Sequence, residues 1–225
     1  MTTTTFEKKA LLTGIGNGFF QVMTHEEQPD HGPVYDEVVH EVPSLDKLKT
    51  KLEYKSKDIY LSSTLHSVLG KASKATITLD AGYLPKGFEE EVSGANKLDV
   101  GVYGMGGRGS KKYFRFAFPI IDENGEKIII NFPKCQLQPT DLNIESQGED
   151  KKEQMQQFDI IAMPLTTGKD EESNIYYKAD LRENNSLDER LLLQQGFYNS
   201  STLTNARNSV NSSTSDDISS TRIDS

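Results

Sequence analysis

Several stretches of the chain alternate apolar and polar residues with period two, the mark of half-buried β-strands. From Leu45 onward, Leu48, Thr50, Leu52 and Tyr54 fall on one side and Lys47, Lys49, Lys51 and Glu53 on the other. A second run sets Ala75, Ile77, Leu79 and Ala81 against Thr76, Thr78 and Asp80. The clearest strand covers 113–121, where Phe114, Phe116, Phe118 and Ile120 share a face. Asn124-Gly125 follows it. Both residues tolerate positive φ, so a tight hairpin and a return strand over 127–132 are predicted. A short apolar run covers 19–23, and shorter strands are expected over 158–162 and 175–179.

Helical patterns are scarcer. Pro85 suits a first helical turn, Glu89, Glu90 and Glu91 are compatible with one, and Gly94 can end it, so a helix is predicted over 85–92. A second is expected over 187–195, around Leu191, Leu192 and Leu193. The segment 25–33, with two prolines and three acidic residues, reads as a loop. After Phe197, Ser, Thr and Asn dominate and large apolar residues stand isolated. Such a stretch cannot bury enough surface to offset its ordering entropy, and a flexible tail is predicted. The reading is therefore a mainly β chain. It has an N-terminal arm over 1–10, an antiparallel β-sandwich or barrel with a flanking helix over 11–182, and a C-terminal extension over 183–225, flexible after 197.

One segment fits a compact monomer poorly. Residues 56–74 lie between two predicted strands and carry Ile59, Tyr60, Leu61, Leu65, Val68 and Leu69. Hairpin loops commonly have about 2–5 residues, so this reads as an overlong apolar loop. Its side chains need burial, either over the domain's own core or against a neighbouring subunit.

Composition narrows the function. Of 225 residues, 35% are hydrophobic, and the formal net charge is −9. An acidic chain is poorly suited to gripping nucleic acid, because phosphate binding draws on Lys and Arg. The single cysteine, Cys135, can form no internal disulfide, which fits a reducing compartment such as a bacterial cytoplasm. No apolar run reaches membrane-spanning length, and 1–6 is Thr-rich without the basic-then-apolar pattern of a secretion signal. The protein is expected to stay where it is made, with no membrane partner.

Catalytic signatures are weak. His25 and His31 flank Glu26, Glu27 and Asp30, but not at the spacing that sets two imidazoles on one helical face. His40 and His66 stand alone. The glycines of 101–109 suggest a phosphate cradle, yet no Lys-Ser/Thr closes it and a strand follows where a helix is needed. A hairpin connection is the reading there. Arg108, Lys111 and Lys112 form a small basic cluster without a stacking aromatic run. No catalytic residue, metal or cofactor is assigned.

Three stretches carry a resemblance: the strands and apolar segment of 48–79 with Leu84-Pro-Lys-Gly-Phe-Glu-Glu-Glu-Val92; Lys112-Tyr-Phe-Arg-Phe-Ala-Phe118 with its Asn-Gly hairpin and Cys135; and Lys152-Glu-Gln-Met-Gln-Gln-Phe-Asp-Ile-Ile-Ala-Met-Pro164 leading to Ile175-Tyr-Tyr-Lys-Ala179. In order and spacing this layout resembles the major tail (tail tube) proteins of long-tailed, non-contractile phages of Gram-positive hosts. The Ser/Asn-rich end departs from that pattern. The resemblance implies a structural protein made in the host cytoplasm and carried in the virion tail. It implies hexameric rings stacked into a tube that DNA passes through without specific binding. Implied partners are other copies, a tape measure protein, and tail terminator or distal tail proteins. Under it, Ile59, Tyr60, Leu61, Leu65, Val68 and Leu69 are the candidate inter-subunit contacts. The alternative reading is a β-sandwich binding module for carbohydrate or host-surface recognition. It expects an aromatic-lined site, and the chain has no Trp.

Overall fold

The computed structural model describes residues 10–28, 30–43, 45–61, 64–104, 110–139, 155–166 and 173–215, and only the backbone of 57–61, 64–69, 71 and 208–215. In chain order the strands are β1 (Leu12–Ile15), β2 (Gly18–His25), β3 (Val34–Tyr35), β4 (His40–Val42), β5 (Leu45–Leu61) and β6 (Thr64–Ala81). Helix α1 (Phe88–Ser93) follows, then β7 (Asn96–Asp99), β8 (Val102–Gly104), β9 (Phe114–Asp122) and β10 (Lys127–Leu137). The chain continues through β11 (Gln156–Ala162), β12 (Tyr177–Asp180), α2 (Glu189–Gln195) and α3 (Ser200–Ser215). None of the helices is long and apolar enough to cross a membrane.

The protein is mainly β and its strand pairs are antiparallel. One sheet runs β3-β2-β9-β10-β11-β6-β5, with β1 added to β9, β4 to β2 and β12 to β10. Strands β7 and β8 form a separate pair. The sheet starts from the β9–β10 hairpin. Gly125 has φ 80° in its turn, and the Asp122 carboxylate accepts the N–H groups of Asn124 and Glu126 at 2.9 and 3.0 Å. These bonds satisfy backbone donors that the turn frees from the ladder.

The predicted faces set the core. Phe114, Phe116 and Phe118 of β9 are buried with Phe20, Phe132, Ile77, Leu79, Phe158 and Ile160. Phe20 stacks on Phe116 with ring centroids 4.7 Å apart. Leu45, opening β5, packs against Gly18, opening β2: a Cβ on Gly18 would lie 2.9 Å from Leu45 Cδ1. Four strands separate β2 from β5 in the sheet order, so the sheet curls back to enclose its own core. Helix α1 closes one end, burying Phe88 and Val92. It begins three residues later than predicted because Gly87 sits at φ 80°, outside helical space.

The opposite face is covered by helices. Ala117, Ile129 and Ala179 pack with Leu192, Leu193, Phe197 and Ala206. Asp188 caps α2 by accepting the Leu191 N–H at 3.1 Å. Arg115, fully buried, projects from β9 into this layer. Its Nη2 donates to the carbonyls of Leu193 and Gln194 at 2.7 and 3.0 Å, and its Nε donates to Gln21 at 3.0 Å. The charge therefore rests on the carbonyl end of α2, where a cation is favoured. At the hairpin end of the sheet, Arg182 pairs with Asp180 at 2.7 Å, which holds that carboxyl down at about 2.

Two expectations are corrected. Residues 56–74 are not a loop: β5 and β6 run on as a ribbon as far as Leu61↔Thr64. Register shifts at Glu53/Tyr54 and Ile59/Tyr60 break the alternation there and hide the strands from a period-two reading. The expected flexible tail after Phe197 instead opens with helix α3. Asn199 and Thr202 exchange side-chain bonds: Thr202 N–H donates to Asn199 Oδ1 at 2.9 Å and Asn199 N–H donates to Thr202 Oγ1 at 3.2 Å. This reciprocal cap starts the helix despite weak intrinsic propensity. Of the N-terminal arm expected over 1–10, residues 1–9 lie outside the described residues.

Because Ala206 is buried and Leu203 packs on the same cluster, ending the chain at Phe197 should be destabilising. Loss of about 1.5–3 kcal/mol of apolar burial corresponds to a melting temperature lowered by roughly 4–10 °C. Unchanged thermal unfolding of the truncated subunit would show that α3 adds nothing.

Candidate assembly surfaces

Among the described residues, three surface features stand out as places where another molecule could dock. The first is the arm formed by the outer parts of β5 and β6. Strand β11 pairs with β6 only as far as Ala162↔Ala75. Beyond it, from Tyr54↔Ala72 to Leu61↔Thr64, the two strands pair only with each other among the described residues. All six candidate contact residues lie on this ribbon: Tyr60 stands opposite Leu65, Val68 opposite Asp58, and Leu69 opposite Lys57, with Ile59 and Leu61 on the same strand as Tyr60. Isolated two-stranded ribbons are at best marginally stable in water. An apolar ribbon of this kind gains from a surface to lie on.

The second is an open groove of about 620 Å³ between β5 and the β1–β9–β10 side of the sheet. Ile15, Leu48, Phe118, Ile120, Ile130 and Phe132 line it, and Asp46 and Lys47 stand at its rim. Several of these side chains are only partly buried. They are therefore core residues left open where the sheet curls without closing over them.

The third is the β7–β8 ribbon. Its register is Asn96↔Gly104 and Lys97↔Tyr103, and Gly101 at φ 74° makes its turn. Leu98, Val100 and Val102 are 70%, 86% and 50% exposed. The alternation of Leu98, Val100 and Val102 is the sign of this ribbon in the sequence. Residues 105–109, with Arg108, lie outside the described residues.

The candidate chemistry of the 25–31 loop is taken up by an ion cluster. Lys134, almost buried, lies 2.8 Å from Glu27 and 3.1 Å from Glu26, with its ammonium 4.5 Å from the centre of the Tyr113 ring. Burial pulls the Lys134 ammonium down, but hydrogen bonds to Glu27 and Glu26 outweigh it and leave the group raised. His25 and His31 are exposed. Among the described residues, no group of three or more His, Cys, Asp or Glu is placed to hold a metal ion. His40 packs edge-on against Phe88 at 5.9 Å. Lys112 pairs with Glu91 at 2.9 Å. Cys135 is fully buried and its thiol is pushed far up by burial, which makes it inert at neutral pH.

No protein-family description and no curated protein matches the sequence. Among solved structures, the chain is similar to the anti-feeding prophage cap, the AFP tube terminating cap, with 13% identity and a TM-score of 0.42 over 77% of this chain and 96% of that one. It is also similar to a chain of the six-fold symmetrised anti-feeding prophage baseplate, with 7% identity and a TM-score of 0.37 over 81% and 99% of the two chains. At such values neither likeness fixes the role of this chain.

Proposed function

We propose that this chain is a structural subunit of a phage tail, the major protein of the tail tube, which assembles as hexameric rings stacked around a passage for DNA. The observation that carries this reading is the β5–β6 arm. It extends past β11, pairs only with itself among the described residues, and bears six large apolar residues within 59–69. Such an arm suits a joint between subunits. The outer edge of β5, at the end of the sheet path, adds unpaired backbone groups beside it. Heterologous contacts of this kind either close into rings or continue as filaments. The acidic balance of −9 suits a wall that DNA slides past, since like charges disfavour adhesion. The tape measure, terminator and distal tail proteins would be the further partners, and the finished subunit would reside in the virion tail.

Electron microscopy of the concentrated, purified protein tests the reading. Rings or tubes of uniform diameter are the expected result. Dispersed small particles at every concentration would reject it and return attention to a monomeric binding module.

A further inference from the structure

The groove and the β7–β8 ribbon occupy opposite ends of one strand. The N–H of Lys112 donates to Val92 O at 3.1 Å, which ties the end of α1, and the ribbon that follows it, to the start of β9. Phe118 and Ile120, in the groove, lie toward the other end of β9. Leu98, Val100 and Val102 are exposed and none of them lines the groove, so the ribbon of a subunit does not fill the groove of the same subunit. Every residue from Asn96 to Val102 is exposed, so the ribbon stands out from the body.

We infer that the β7–β8 ribbon of one subunit seats Leu98, Val100 and Val102 in the groove of a second copy, beside Leu48, Phe118 and Ile120. This inference rests on the tube reading for its setting and names the contact by which one subunit engages the next. The two surfaces match in chemistry. A groove of this size falls within the range of ~300–1,000 Å³ that takes a compact apolar guest. On the ribbon, Lys97 and Asp99 flank Leu98; at the groove rim, Asp46 and Lys47 are exposed. Each charge has a partner of opposite sign on the facing copy. A knob at one end and a hole at the other make a head-to-tail contact that need not close on itself, so it propagates along a stack.

Cross-linking tests the contact directly. Single variants Val100→Cys and Thr50→Cys are mixed and treated with a short bis-maleimide; the native thiol of Cys135 is buried and stays silent. Mixing should give a covalent dimer, and the doubly substituted chain a ladder of higher oligomers. In parallel, Val100→Asp, at a residue too exposed to affect folding, should raise the critical concentration for assembly by about tenfold or more. If the protein forms tubes, yet Val100→Asp assembles normally and mixing yields no cross-link, the contact is wrong and the tube reading survives. Cross-linking only between like variants would also overturn it, since that would signal a two-fold contact. If the protein neither polymerises nor cross-links at any concentration, both fall.

Discussion

The double substitution Leu65→Asp, Val68→Asp should leave the subunit folded and abolish polymerisation. Both positions are on the part of the arm that pairs only with its own partner strand, beyond the last residue of β6 that pairs with β11. If the arm is buried between subunits, each replacement removes about 1.5–3 kcal/mol of burial. It also asks the interface to take in an unpaired carboxylate, which costs more still. Sedimentation should show a monomer where the parent forms large assemblies, with a melting temperature for the unassembled subunit close to the parent's. Normal tubes from the double variant would mean the arm is not a joint.

The largest effect on folding is expected at Arg115. Its guanidinium is held by Gln21, Leu193 and Gln194, with Asn131 Oδ1 at 3.4 Å. Burial lowers this group to about 10, with the nearby Tyr35 acting in the opposite sense, so it remains charged at neutral pH. Arg115→Ala leaves the terminal carbonyls of α2 and two side-chain amides without their donor, inside a cavity. A loss of about 3–5 kcal/mol is expected, or a melting temperature lower by roughly 10 °C or more. Arg115→Lys should recover little, since an ammonium cannot reproduce the planar fork. Gly196→Ala should injure the same spot from the other side. Its φ is 71°, and an added Cβ would fall 2.7 Å from Arg115 Cδ. Full stability of Arg115→Ala would show that the carbonyls find other donors and that the buried cation is not what fastens α2 to the sheet.

What could be read in the sequence was what local chemistry decides. Asn124-Gly125 dictates its turn in any context, and Phe114, Phe116 and Phe118 alternate cleanly because β9 lies between the core and the helical layer without interruption. The arm was misread as a loop because its register shifts move residues from face to face: Tyr54, expected on the inward side with Leu48 and Leu52, is 67% exposed just past the first shift. Helix α3 was missed because its Ser, Thr and Asn residues argue against a helix one by one. The pairing of Asn199 with Thr202 at the capping spacing was the available sign. Arg115 looked like one residue of a basic-aromatic strand. Nothing local reveals that the end of a helix some 78 positions away will receive it. The groove, likewise, arises only where distant strands fail to close over residues that look like ordinary core.

Strand β10 has a mechanical consequence. Along one of its edges it bonds two different neighbours in succession: Ile128 to Asn131 face β12, and Cys135 to Leu137 face β11. Pro133, which has no N–H to offer, falls between them, where the ladder to β9 also slips register. Among the described residues β6 and β11 share seven residue pairs, whereas β11 meets β10 through three, flanked by backbone bonds from Gln138 to Asp159 and from Met163 to Lys134. A load applied at the arm tip travels through this three-pair seam before it reaches the rigid hairpin core. Bending should concentrate there, within the subunit, so that the arm and its supporting strands swing while the β9–β10 hairpin core keeps its shape.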